Sequence, residues 1–213
     1  MGNNSKKLIV PKINYNFNTK ERAKILFLDI DGVLNTYGAS YRSFKKGSNV
    51  MEPMFVERLE WVMSQVPDLQ IVISSSWRNN MPRLCEVLKN NGFTYIDRII
   101  GKTIQAQSIT ERYDESLGVY IKLEPPFQLK YRWRGEQIKE YLKHAKLNSK
   151  LPIQYLVIDD EPFDICGDRC NLISKSNVLQ TNMDEGLLNK DALKIVEFFV
   201  ATKKGENIEI NNS

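Results

Sequence analysis

Lys24-Ile-Leu-Phe-Leu-Asp-Ile-Asp-Gly-Val-Leu-Asn35 decides how this chain is read. Residues 23–28 are almost continuously apolar, the pattern of a strand buried on both faces of a parallel sheet. The run stops at Asp29-Ile-Asp-Gly32. In extended backbone, residues two apart point the same way, so Asp29 and Asp31 share a face. Two carboxylates held that close repel each other unless a cation or a proton is shared between them.

Working outward, Pro53 opens a predicted helix whose Phe55, Leu59, Val62 and Met63 recur at helical spacing, ending near Pro67. Leu69-Gln-Ile-Val-Ile73 reads as a second buried strand and runs directly into Ser74-Ser-Ser-Trp-Arg78. Leu84, Val87 and Leu88 mark another helix, stopped at Asn91-Gly92. A third strand is expected over 95–100, a helix from Arg134 with Ile138, Tyr141 and Leu142 on one face, and a strand over 154–158 that ends in Asp159-Asp160. A short strand over 176–179 and an amphipathic helix over 191–200 close the pattern.

Strands alternating with helices predict an α/β fold: a doubly wound, Rossmann-like parallel sheet with helices on both faces. Ligands in such folds bind outside the carboxyl ends of the strands. Three predicted strands end there in Asp-Ile-Asp, Ser-Ser-Ser and Asp-Asp, so the polar groups fall on one edge of the sheet. Four carboxylates from two strand ends suit a hard, oxygen-seeking ion such as Mg2+.

The expected organisation is a polar arm over 1–20, one domain over 21–204 with small cap-like insertions at about 36–52 and 102–130, and a polar tail over 205–213. A chain of 213 residues buries about 70% of its unfolded surface and needs no covalent staples. The net charge of +4 is too mild to mark a nucleic-acid binder by itself. No apolar run approaches the ~20 residues of a membrane span, and the polar N-terminus lacks the core of a secretory signal, so a cytoplasmic address is expected. Cys85, Cys166 and Cys170 fit no disulfide framework or common zinc site. The last two, four apart, have the spacing of one helical face, and reduced, structural roles are expected. Trp77 reads as core packing, and His144, on a Lys-rich helix, as a solvated side chain.

Taken together, Asp-x-Asp-Gly-Val after one strand, serine after a second, a basic residue opening a helix and Asp-Asp after a later strand resemble the four motifs of the haloacid dehalogenase (HAD) superfamily, in its order, from residue 24 to about 188. Ser74-Ser-Ser-Trp-Arg78, Arg134-Gly-Glu-Gln-Ile138 and Thr181-Asn-Met-Asp-Glu-Gly-Leu187 are similar to a branch associated with Swiss-army-knife RNA-repair proteins. The resemblance implies an Mg2+-dependent phosphatase in which Asp29 is the nucleophile, forming an aspartyl-phosphate, and Asp31 the acid and then the base. Asp29, the main-chain carbonyl of Asp31 and one of the late pair would hold the metal, with Asp160 preferred over Asp159. Ser75, or else Ser74, and Arg134, or else Lys130 or Arg132, would hold the phosphoryl oxygens. An aspartate at position 31 separates the chain from dehalogenase relatives, which expel halide without an acid. Ile30 separates it from transport ATPases, which carry lysine after the nucleophile.

For the substrate, two insertions interleave aromatics with cations: Tyr41, Arg42, Phe44, Lys45 and Lys46 in the first, and Phe127, Lys130, Tyr131, Arg132 and Trp133 in the second. Bases stack and phosphates pair with charge, so a nucleotide or an RNA or DNA end carrying a 3′-phosphate is the expected partner. A small phosphorylated metabolite, a phosphoprotein, or a catalytically silent module that holds a phosphate end are the competing readings.

Overall fold

The computed structural model describes residues 22–38, 51–109, 111–114, 119–122, 128–149 and 151–201, and of 109, 111–114, 128, 129 and 201 only the backbone. The polar arm, the tail, the cation-aromatic cluster at 41–46 and Phe127 lie outside the described residues. In chain order the elements are β1 (Ala23–Leu28), α1 (Pro53–Gln65), β2 (Leu69–Ile73), α2 (Met81–Asn90), β3 (Ile99–Lys102), β4 (Gln107–Ile109), β5 (Glu111–Asp114), β6 (Val119–Lys122), β7 (Gln128–Lys130), α3 (Arg134–Asn148), β8 (Ile153–Asp159), β9 (Cys166–Gly167), β10 (Cys170–Asn171), β11 (Val178–Gln180) and α4 (Asn189–Ala201).

Five strands form one parallel sheet in the order β11-β8-β1-β2-β3. Because side chains alternate along a strand, β1 feeds two cores. Leu26 and Leu28 join Phe55, Leu59 and Val62 of α1, Leu84 and Leu88 of α2, and Ile195 and Phe199 of α4 on one face. Ile25 and Phe27 face Ile138, Tyr141, Leu142 and Ala145 of α3 on the other, where the Phe27 ring meets Tyr141 edge-on at 5.4 Å between centroids. Both faces are covered, which explains why β1 lacks polar alternation. The order of strands reverses between β1 and β8, and such a switch point opens a crevice beyond the carboxyl ends of the strands. Asp29 and the Asp159–Asp160 pair stand at that crevice.

Three local expectations need correction. The third strand begins later than 95–100: Ile96–Arg98 is a single 3-10 turn and pairing starts at Ile99. Arg98 is the cause, since its guanidinium donates to Met63 O at 2.9 Å and stacks over the Tyr95 ring, tying the turn to α1. Similarly, 175–177 is a 3-10 turn before β11, because the Asn177 side chain donates to Tyr155 O at 2.8 Å where a strand would offer its backbone. Cys166 and Cys170 lie on no helix. They are buried, free thiols on a two-residue antiparallel pair, Cys166 opposite Asn171 and Cys170 opposite Gly167.

The stretch 102–130, expected as a small cap-like insertion, contains a two-stranded ribbon. Gln107 pairs with Lys130 and Ile109 with Gln128; then Glu111 pairs with Lys122 and Asp114 with Val119. On β6, Val119, Tyr120 and Lys122 are exposed and Ile121 is only partly buried, so little burial is there to impose an apolar-polar alternation.

Candidate functional site

The end of β1 is built to present carboxylates. Asp29 N still donates into the sheet, to Ile158 O at 3.0 Å, so the nucleophile candidate sits on the last rigid rung between β1 and β8. The chain then turns at Gly32, whose φ is +72°. A Cβ there would lie 2.3 Å from Asp160 Cγ, so only glycine lets the two loops approach this closely. One carboxylate oxygen each from Asp29, Asp159 and Asp160 then falls within 4.8 Å of the others.

Asp31 is absent from that trio. Its carboxylate is held instead by the Trp77 indole N–H, 3.1 Å from both oxygens, and by Asn35 Nδ2 at 2.9 Å. Asn35 Oδ1 in turn accepts from Gly32 N at 3.1 Å, closing the loop on itself.

The end of β2 contributes Ser75, which caps the 3-10 turn Ser76–Asn80 and whose hydroxyl helps hold the Asp29 carboxyl down. The Ser74 hydroxyl is buried and unpaired, while its carbonyl accepts from the Arg134 guanidinium. Among the three cations expected to compete, the structure brings Arg134 to the carboxylates. Its Nη1 lies 2.8 Å from Asp29 Oδ2 and 3.1 Å from Asp159 Oδ2. Lys130 lies over the Tyr131 ring and Arg132 over the Trp133 ring. The start of α3 fixes this choice: Trp133 N donates to Glu136 Oε2, and Gly135 packs where a Cβ would stand 2.7 Å from Cys170 Sγ and from Ile165 O.

Charge is under strain here. Burial raises the Asp29 carboxyl above its usual range despite Arg134 and the Ser75 hydroxyl. Burial and Asp29 raise Asp159 further, and burial with Asp29 pushes Asp160 up to about 6. Arg134 responds oppositely: burial pulls it down, but Asp29, Asp159 and Asp164 outweigh this and raise it. Asp159 Oδ2 is buried without a hydrogen bond, being close to Arg134 but not aligned with it. A trio of hard oxygen donors, one of them unsatisfied, fits a divalent cation.

Residues 25–192 match the family described as the HAD domain in Swiss Army Knife RNA repair proteins. The chain belongs to that family. No curated protein and no solved structure matched it.

Within this HAD domain the segment Thr181-Asn-Met-Asp-Glu-Gly-Leu187 acts as a brace. Thr181 N donates to Asp159 O at 3.1 Å and Thr181 Oγ1 to Gly32 O at 2.9 Å, so one residue ties the two acidic loops together. Leu187 N donates to Val33 O at 2.8 Å. Sequence reading passed over three contributors to the HAD site: Trp77, Asn35 and Arg78. Trp77 does pack against the larger core, yet its N–H also needs an acceptor, and a tryptophan in a polar strand-end turn is the signal that points to one. Arg78 is half-buried beside Asp29 and Arg134. Burial and then Arg134 pull it down, and its Nη1 donates to Ser75 O at 3.0 Å. His144 pairs with Glu140 at 3.0 Å on α3, whose opposite face packs on the sheet.

Proposed function

We propose that this HAD domain is an Mg2+-dependent phosphomonoesterase that works through an aspartyl-phosphate on Asp29. The observation that carries the proposal is the division of the four aspartates: three converge within 4.8 Å, while Asp31 stands apart on its own hydrogen bonds. Carboxylates gathered where they can hold a cation and orient Arg134, with one kept apart for proton traffic, are the distribution that two-step phosphoryl transfer needs.

In the first step an Asp29 oxygen attacks phosphorus, the bond to the leaving oxygen breaks, and Asp31 gives that oxygen its proton. In the second, water attacks the same phosphorus and passes a proton to Asp31, and the Asp29–phosphorus bond breaks to release phosphate. Arg134 and the Ser75 hydroxyl stabilise charge on the non-bridging oxygens, while Asp159 orients Arg134. Asp29, Asp160 and the main-chain carbonyl of Asp31 would hold Mg2+, which supplies positive charge to the phosphate when bound.

For the substrate we favour an RNA or DNA end with a 3′-phosphate, or a nucleotide. An open groove of about 670 Å³ starts at Asp160 and is walled by Phe163 and Lys175, room for more than a phosphate. The family's association with RNA repair supports the same choice. No helix among the described residues is long and apolar enough to cross a membrane. A reducing, cytoplasmic setting belongs to the proposal and agrees with three free thiols.

Purified protein with Mg2+ is expected to hydrolyse an aryl phosphate, and Asp29→Asn to abolish this without unfolding. Activity that survives Asp29→Asn rejects the mechanism. Comparing 3′-phosphorylated RNA and DNA with mononucleotides and sugar phosphates tests the substrate; no turnover of any nucleic-acid end removes that class. Tight binding of phosphate ends without turnover would identify a silent binding module.

A further inference from the structure

We infer that Trp77 is a positioning residue: its indole N–H, with the Asn35 amide behind it, aims Asp31 at the leaving-group oxygen. The inference rests on the acid role proposed for Asp31.

Geometry carries it. The indole nitrogen is 3.1 Å from both Asp31 oxygens, an approach along the bisector of the carboxylate that restrains rotation about its last bond. Asn35 Nδ2 takes Oδ1 at 2.9 Å from within the Asp31 loop itself. The Trp77 ring cannot swing away freely, because it packs against the main core. Its backbone is fixed as well: Ser75 caps the turn that carries it, and Lys102 Nζ donates to Arg78 O at 2.8 Å one residue further on. The same short turn therefore sets two functional groups at once. Ser75 favours the Asp29 carboxylate, and two residues later the Trp77 indole N–H bonds Asp31. A carboxylate outside the trio, with no metal to orient it, needs such a support to stay within proton-transfer reach.

A loss of acid alignment has a specific signature. Expelling an alkoxide requires the proton, whereas a nitrophenolate leaves nearly unaided. kcat/KM, which reports steps up to departure of the leaving group, is therefore measured for an alkyl phosphate and for 4-nitrophenyl phosphate, both with Mg2+. Asp31→Asn serves as the reference. Trp77→Phe removes the N–H; β-(3-benzothienyl)alanine at position 77 removes it while keeping the bicyclic shape, in case the smaller ring unsettles the core.

Both changes at 77 are expected to lower the alkyl-to-aryl ratio of kcat/KM by about tenfold or more, in the direction of Asp31→Asn. A parallel loss on both substrates with the isostere, or no loss, overturns the inference, since a packing role would not sense the leaving group. If Asp31→Asn discriminates and the two changes at 77 do not, the acid assignment stands and the role of Trp77 falls. Absence of discrimination in Asp31→Asn itself removes the acid assignment and this inference with it.

Discussion

β1 buries every residue except the half-buried Lys24, whereas β6 leaves Val119, Tyr120 and Lys122 exposed. Both are hydrogen-bonded β structure, and they lie in one chain. β1 is paired on both sides and packed on both faces, so any group at its end inherits the rigidity of the whole sheet. The ribbon that contains β6 pairs in two-strand ladders of its own, outside the five-stranded sheet. Reactive geometry that must be kept to fractions of an ångström is found on the first kind of strand. The second kind tolerates change.

That contrast can be broken by measurement. The largest effect is expected at the end of β1: Asp29→Asn should lower kcat by about four orders of magnitude or more, with an unchanged melting curve. A modest loss would mean that the rigid edge does not carry the chemistry. Next comes Phe27→Ala inside β1, expected to cost about 3–5 kcal/mol in denaturant unfolding, because the ring is buried against Tyr141 and Tyr155.

Gly32→Ala should follow, at about 1–3 kcal/mol, since it forces a positive φ and drives Asp160 out of its place. Mg2+ titration of that variant should show weakened binding; wild-type affinity would remove Gly32 as the hinge between the acidic loops.

An effect of similar size concerns pH. Asp160 is pushed from 3.8 to about 6, so between these values the native protein binds more protons than the unfolded chain. The sign follows: without metal, this group makes stability fall as pH rises through that window. Mg2+ should restore stability at and above pH 6, by about 2.7 kcal/mol at a hundredfold excess over Kd. Thermal melts from pH 4 to 7, with and without Mg2+, check this, and Asp160→Asn should flatten its share of the slope. Smallest of all, Val119→Thr on the ribbon should shift stability by less than about 0.5 kcal/mol. A larger shift would show that the ribbon packs on the domain after all.

Much of the site was legible in the linear sequence, for a physical reason. Buried parallel strands have a one-dimensional signature, an apolar run, and polar residues follow it; Asp29, Asp31, Ser74–Ser76 and Asp159-Asp160 stood out as candidates this way, while the choice of Ser75 came from the family resemblance. The starts of β3 and β11 were not legible, because Arg98 and Asn177 side chains occupy backbone positions from a distance. Neither was β6, since a mostly exposed strand carries no burial pattern.

The sequence by itself determined that the chain alternates strands and helices, that its carboxylates gather at one sheet edge, and that HAD-type residues occur there in order. Those features depend on neighbours along the chain. Only the tertiary structure decided which of Lys130, Arg132 and Arg134 meets Asp29, and that Trp77 holds Asp31 while also packing into the core. These outcomes depend on where Gly135 lets α3 begin and on a turn from another strand, and three-dimensional closeness of that kind leaves no mark on residue order.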